Sequence, residues 1–389
     1  MTARVRSVIL AGGGTGGHVF PLLALAEALL ELDPGIRPVF VGTPRGMETR
    51  LVPERGFALE LLDVLPMRGG GPSGLIRGAF RAGRTLPDSL RLLRSLDALG
   101  VLSVGGYAAG PISLAAWMSG LPLALLEPNS VIGLANRLIA PLALRAYTAF
   151  ERTEAVFDPS VVRPLGVPIR RAFQPRAYEP RRSSPRVLVL GGSQGALSLN
   201  RTLPRALAEA RKLVPGLQVV HQSGAAHVEA VLEAYAPAGP GLAQVIPFID
   251  DMPGAIATAD LVIGRSGASA VSEITAIGRP SLLVPYPHAS GNHQFYNARA
   301  LEQAGGAVCL PSDVGQAELE REIVGLLSRP ERLLAMARAA RDFGRPRAAL
   351  DVAQDFLGLL ADRGTIRRAQ ERGDAAPGAG DPLLFSEVA

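Results

Sequence analysis

Apolar positions in this chain come in short bursts, each followed by glycine and then by a longer amphipathic run. Val8 to Ala11 are all apolar and meet five glycines within six positions, Gly12 to Gly17. VFPLLALAEALLEL then carries apolar residues at helical spacing, and PVFVG follows as a second burst. A short apolar run closed by a turn signal reads as a buried strand, and a longer periodic run as a helix. The same order recurs from residue 186, with RVLVL, the loop GGSQGA, the helix-like LSLNRTLPRALAEARKL and then LQVVHQSG. A second matching pair lies deeper in each half. ALGVLSVGGYAAGPISLAAWMSGLPLALLE and TADLVIGRSGASAVSEITAIGRPSLLVPY share an outline of strand, glycine turn, helix, break and strand.

Strand–helix–strand units of this size imply parallel pairing. The predicted class is therefore α/β, with two tandem Rossmann-like parallel-sheet domains. The first is expected over 1–165 and the second over 166–344. Their junction, GVPIRRAFQPRAYEPRRSSP, is rich in Pro and Arg and has no sustained period. A helical stretch over 345–363 is expected to return to the first domain, by analogy with folds of this kind. Residues 364–389 turn polar and rich in Gly, Ala and Pro, and read as a disordered tail.

Composition adds constraints. With 48% hydrophobic but only 5% aromatic residues, strands must be built from Val, Leu and Ile, as buried parallel sheets are. The single cysteine, Cys309, excludes a disulfide framework and a cysteine zinc site. The first apolar run is too short for a signal segment. The longest apolar stretch, 121–147, is interrupted by Glu127, Asn129, Asn136 and Arg137, so no membrane span is expected. The net charge is +5, and all but one of the 40 basic residues are arginine. Between residues 65 and 96, Arg68, Arg77, Arg81, Arg84, Arg91 and Arg94 face Asp88 alone, concentrating that excess in one segment.

The loop GGGTGG matches G-x-G-x-x-G through Gly12, Gly14 and Gly17, after a strand and before a helix. Glycine there lets backbone N–H groups approach phosphate oxygens at a helix N-terminus. A dinucleotide enzyme would also place an acid at the end of its second strand. Here those strands end Val41-Gly42-Thr43 and His221-Gln222-Ser223, which disfavours NAD. A Walker loop is excluded because neither glycine loop holds a lysine. GGSQG also matches the G-x-S-x-G elbow of hydrolases, with Asp260 and His288 or His293 following in the required order. That alternative leaves the first loop and the duplicated architecture without a role.

Taken in order, AGGGTGGHVFP, SVGGYAAGP, LGGSQGA, FIDDM, RSGASAVSE and HQFYNA resemble the successive signatures of the MurG-type sugar transferases of glycosyltransferase family 28. The resemblance covers roughly residues 5 to 360 and is specific as a set. It implies a GT-B fold and inverting transfer of N-acetylglucosamine from UDP-GlcNAc to the 4-hydroxyl of undecaprenyl-diphosphate-linked lipid I, making lipid II for peptidoglycan. On this basis the second domain holds the donor. Ser193 would bind a phosphate oxygen, Arg170 would reach in from the junction, and Ile249 would meet uracil through its backbone. Ala268, Ser269, Ala270, Val271, Ser272 and Glu273 would form a helix N-terminus facing the diphosphate, with Glu273 on the ribose. Gln294 and Asn297, three apart on one helix face, would grip sugar hydroxyls.

The first domain would take the acceptor. Thr15, Gly16 and Gly17 form a second anion cradle or close over the donor sugar, with Gly14 on the acceptor side. His18 is the one ionisable side chain in that loop and suits general-base work. Glu127 is a second catalytic candidate, and Tyr107 and Asn129 sit on loops expected to line the same cleft, Tyr107 toward the acceptor and Asn129 as a contact to the donor. LEPN stands where the family more usually has His-Glu-Gln-Asn. No cofactor or metal is expected, since the chain contains no Asp-x-Asp and leaving-group charge can be met by helix N-termini and arginine.

An acceptor with a polyprenyl tail stays in the bilayer, so a peripheral site on the cytoplasmic membrane face is expected. Leu75, Ile76 and Phe80 amid arginines, with Trp117, could insert among anionic inner-leaflet lipids. Each basic side chain would add about 1 kcal/mol. One aromatic in the basic segment and no recognised binding module disfavour nucleic acid as a partner. Two alternatives share most of these motifs: a related transferase acting on diacylglycerol, and a nucleotide-sugar-binding protein without turnover.

Overall fold

The computed structural model describes residues 6–64, 85–106, 108–192 and 195–372, with side chains to residue 362 in the last stretch. Two parallel sheets carry the fold. The first contains β1 (Arg6–Gly12), β2 (Ile36–Gly42), β3 (Ala58–Leu61), β4 (Ala98–Gly105), β5 (Leu123–Glu127), β6 (Arg145–Thr148) and β7 (Val162–Arg163), in the order β3-β2-β1-β4-β5-β6-β7. The second contains β8 (Arg186–Leu190), β9 (Gln218–Gln222), β10 (Ala243–Ile246), β11 (Leu261–Gly264), β12 (Ser281–Leu283) and β13 (Ala307–Cys309), in the order β10-β9-β8-β11-β12-β13. The two domains are thus variations of one winding, as the repeated pattern implied.

Val8 to Ala11 are fully buried because both faces of β1 are covered. Val8 and Leu10 pack into one apolar cluster, Ile9 and Ala11 into another. Strand order reverses between β1 and β4 and again between β8 and β11, where Ile9 pairs with Val101 and Val189 with Ile263. Ligand crevices of open α/β sheets form beyond the carboxyl ends of strands at such reversals. Both glycine loops lie there.

The chain crosses between the domains twice. It passes outward through residues 164–185 and returns near residue 345 into the helix Ala348–Arg372. Ala349, Val352, Ala353, Phe356, Leu359 and Leu360 of that helix complete the cluster beneath the first sheet. Its backbone stays helical to Arg372, past residue 364 where the sequence reads as tail. The crossings touch at Gly166, whose φ is +88° and where a Cβ would collide with Arg345. Glycine is the residue that tolerates both constraints. An apolar cluster spans the interface, with Phe150 and Val167 from one side against Ala268, Val271, Leu283, Ala298 and Leu301 from the other.

One charge is sealed inside the second domain. Arg279 is 2% exposed and donates to the carbonyls of Ala257, Arg176, Ala177, Ile277 and Gly278. It therefore caps the C-terminal ends of the helices Met252–Thr258 and Ala268–Ile277, where a cation meets the negative pole. It also fastens the outgoing crossing to the domain.

Candidate active site

In the first domain the chain leaves β1 through Gly12–Thr15 and enters the helix Gly16–Leu32, with Thr15 extended at its N-cap. His18 lies in the first turn and its Nδ1 is 3.0 Å from the Gly13 carbonyl oxygen. A carbonyl can only accept, so Nδ1 carries the proton and Nε2 keeps its lone pair. Burial, joined by His293 from the second domain, lowers the His18 pKa; the Gly13 bond and Glu48 oppose this. The imidazole is thus neutral near neutrality, with a free basic nitrogen. The turn after β4 packs directly on this loop. Gly106, with φ of +91°, approaches Gly13 so closely that a Cβ would sit 3.1 Å from its carbonyl.

Sequence reasoning missed Glu48. It opens the helix Glu48–Glu54 and is wholly buried beneath the first glycine loop. Its carboxylate accepts from Gly14 N at 2.8 Å, Thr43 N at 2.9 Å and Thr43 Oγ1 at 3.1 Å. Gly14, expected on the acceptor side, therefore has its N–H committed to protein. The N–H groups of the helix's first turn, at Gly16 and Gly17, are the ones positioned for an anion.

Glu127, expected as a catalytic group, turns back into its own loop. One oxygen accepts from Asn129 N at 3.1 Å, the other from Gly133 N at 2.9 Å and Asn136 Nδ2 at 3.1 Å. It is 3% exposed, and burial raises its pKa against these bonds. Glu127 stands as a brace for residues 127–136 rather than a free acid or base. Asn129 links outward: its carbonyl accepts from Thr153 Oγ1 at 2.6 Å and its side-chain oxygen from Asn297 Nδ2 at 3.3 Å.

Asn297, expected as a sugar ligand, is enclosed between the domains. Its Oδ1 accepts from Ser130 N at 2.8 Å, and Nδ2 also donates to Ser266 O at 3.1 Å. These bonds join the loop after β5 to the loop after β11. Gln294 is more open: its Oε1 accepts from Tyr286 N at 3.0 Å, while its amide nitrogen has no protein partner among the described residues. Arg152 stacks over Tyr296 across the interface, 4.0 Å from the ring centre.

In the second domain the loop after β8 rests on the end of β9, where Gly191 N donates to Gln222 O. Asn200, in the helix Leu197–Leu213, holds Ser223 O at 2.9 Å and accepts from His221 Nε2 at 3.0 Å. His221 in turn accepts from the Tyr235 hydroxyl, and burial pushes its pKa down to about 4. This sealed network supports the loop from behind. The helix Ala268–Ile277 points its N-terminus into the cleft. Ser269 Oγ there is buried with no protein partner among the described residues. A buried hydroxyl without a partner at a helix N-terminus suits a phosphate oxygen. Glu273, one turn on, has its pKa raised to about 7 by burial, which Arg170 from the outgoing crossing partly offsets. Arg170 and Glu273 thus lie within electrostatic reach of each other. Ile249 is buried nearby with Ile169 and Phe173.

The hydrolase alternative fails on geometry. Asp260 precedes β11, at the opposite end of the parallel strands from the glycine loop after β8. Its side chain is 1% exposed, and its carboxylate is bound by Arg181 and by Arg186 N. Among the described residues no group of three or more His, Cys, Asp or Glu could hold a metal ion, and no helix is long and apolar enough to cross a membrane. Trp117 and Met118 end one helix of the first domain more than half exposed, and Leu134 and Leu138 lie exposed on the adjoining helix. The expected site residues Tyr107, Ser193, Leu75, Ile76 and Phe80 lie outside the described residues.

Comparison with known proteins accounts for both halves. Residues 8–148 match the glycosyltransferase family 28 N-terminal domain and residues 186–352 the family's C-terminal domain. A UDP-N-acetylglucosamine–N-acetylmuramyl-(pentapeptide) pyrophosphoryl-undecaprenol N-acetylglucosamine transferase of Sorangium cellulosum is 51% identical over 96% of this chain and 94% of its own length. The protein of that name from Anaeromyxobacter dehalogenans is 41% identical over 97% of this chain and all of its own. Among solved structures, MurG of Acinetobacter baumannii superposes with a TM-score of 0.75 at 32% identity, covering 90% of this chain and 98% of that one.

Proposed function

The chain belongs to glycosyltransferase family 28, and on that premise we propose that it transfers N-acetylglucosamine from UDP-GlcNAc to the 4-hydroxyl of undecaprenyl-diphosphate-linked N-acetylmuramyl-pentapeptide, lipid I, with inversion at the anomeric carbon. The product is lipid II, the membrane-bound precursor of peptidoglycan. The observation that carries this reading is the match at 51% identity through both domains, so that donor half and acceptor half are of one type.

The side chains support a single displacement. The diphosphate sits against the N-terminus of Ala268–Ile277, with the Ser269 hydroxyl and Arg170 taking up charge as UDP departs. Glu273 accepts from the two ribose hydroxyls, Ile249 meets uracil, and the free amide of Gln294 reaches the sugar. Thr15, Gly16 and Gly17 close from the first domain. His18 Nε2 takes the proton of the acceptor 4-hydroxyl as its oxygen bonds to the anomeric carbon and the bond to UDP breaks. Asn297 and Asn129, tied to each other, hold the two sides in register rather than contacting sugar.

The acceptor keeps its tail in the bilayer, so the protein works as a peripheral protein on the cytoplasmic membrane face. Trp117, Met118, Leu134 and Leu138, beside the exposed Arg137, supply an apolar and cationic surface of the kind anionic lipids favour. Labelled UDP-GlcNAc offered with lipid I or with diacylglycerol in detergent tests the reading. Labelled lipid II is expected from the first mixture alone. Transfer to diacylglycerol, which the altered LEPN loop keeps as the second reading, would replace it.

The donor site also predicts a pH dependence. Only the ionised Glu273 can accept from both ribose hydroxyls, and its pKa is raised to about 7. The KM for UDP-GlcNAc should therefore fall roughly tenfold from pH 6 to pH 8, as one group titrates in that window. Glu273→Gln should raise KM and flatten the profile. A wild-type KM that is level across this range would remove Glu273 from the ribose.

A further inference from the structure

Among the described residues, Glu48 is the one wholly buried carboxylate in the first domain outside the β5 loop, and the activity as described gives it no role. Its surroundings are built to admit it. A Cβ added at Gly13, Gly42 or Gly46 would run into the Glu48 side chain, so the loop after β1, the end of β2 and the connection after it form one slot. None of the three has positive φ, so these glycines serve space rather than backbone conformation. Burying a carboxylate is costly unless its lone pairs are met. Here Gly14 N, Thr43 N and Thr43 Oγ1 meet them.

We infer that Glu48 is a positioning residue for the transfer reaction, pinning the Gly13–Gly14 backbone so that the Gly13 carbonyl orients the His18 imidazole. The link is short. Glu48 fixes the Gly14 N–H at 2.8 Å, and the adjoining Gly13 carbonyl fixes His18 Nδ1 at 3.0 Å. A carboxylate, which only accepts, holds the Gly14 N–H inward. The Gly13 carbonyl then stays turned toward His18, leaving Nε2 as the free base. The negative charge also acts on the ring: Glu48 beneath the loop raises the His18 pKa, while His293 across the cleft lowers it. A glutamine of the same shape could meet Thr43 through its oxygen but would set its NH2 against the Gly14 N–H. The inference rests on His18 being the base.

Steady-state kinetics of Glu48→Gln and Glu48→Asp, alone and with His18→Ala, test it, with UDP-GlcNAc binding by calorimetry as a check on folding. In Glu48→Gln, kcat should fall roughly 10- to 100-fold, with the UDP-GlcNAc Kd within about twofold of wild type. The acid limb of the kcat profile should move to lower pH, because the charge that supports the imidazolium is gone. Glu48→Asp keeps the charge but is too short to span Gly14 and Thr43, so kcat should fall with the limb near its wild-type position. In the His18→Ala background, Glu48→Gln should cost little more. Unchanged kcat in a donor-binding Glu48→Gln protein, or an equal fall with and without His18, overturns the inference. Near-normal turnover by His18→Ala alone would instead overturn the base assignment.

Discussion

Replacing His18 with alanine should cut kcat roughly 10²- to 10⁴-fold while donor KM stays within a few-fold, the loss typical of removing a general base. The prediction follows from which nitrogen is free. Gly13 accepts from Nδ1 and so leaves Nε2 unprotonated. Burial keeps the ring neutral at pH values where a solvated histidine would be partly charged. For a base with a lowered pKa, kcat is full above that pKa and falls as pH drops through it. The acid limb should therefore lie below the usual 6.5 of histidine and vanish in His18→Ala. Were the imidazole only a donor to an acceptor phosphate, the loss would appear in acceptor KM with kcat nearly intact. Turnover of His18→Ala within a few-fold of wild type would remove the residue from the chemistry.

Arg279→Met should destabilise the protein by about 4 kcal/mol, at the upper end for a single substitution. Methionine can fill much of the space but offers no donor to five carbonyls that now share the guanidinium. Buried ion pairs can be exchanged for apolar residues at small cost when both partners are replaced. Backbone carbonyls cannot be replaced, so those of Ala257 and Gly278 lose their donor inside the domain, while Ile277 O keeps its bond from Arg176 N. Two helix C-termini also lose their countercharge. Arg279→Lys, with three donors on one nitrogen, should fall between the two. The difference would appear as a lower denaturant midpoint with an unchanged slope. A shift worth less than about 1 kcal/mol would mean that the contacts of Arg279 are incidental.

How much of this was legible in the chain depends on the range of the interaction. Val8–Ala11 and Val187–Leu190 announce buried strands because a strand covered on both faces needs apolar residues without a break. The glycine loops announce themselves because strand, Gly and helix are adjacent in sequence. Glu127 could be placed at the end of β5 from its neighbours, yet the direction of its carboxylate depends on Gly133 and Asn136 folding back. Glu48 and Gly14 are 34 positions apart, and Asn297 and Ser130 are 167 apart. No local spacing carries such pairings. The same holds for Arg279, a residue type that is rarely sealed from water and whose partners are backbone atoms without a sequence signature.

The returning helix has a consequence for how the protein comes off the ribosome. Phe356, Leu359 and Leu360 are needed to close the cluster beneath the first sheet, and they are made after the whole second domain. Domains released early in translation commonly fold as they emerge. Here the leading half must wait with its apolar underside uncovered until the returning helix has been made. The lagging half has no such dependence and can finish first, so maturation runs against the order of synthesis.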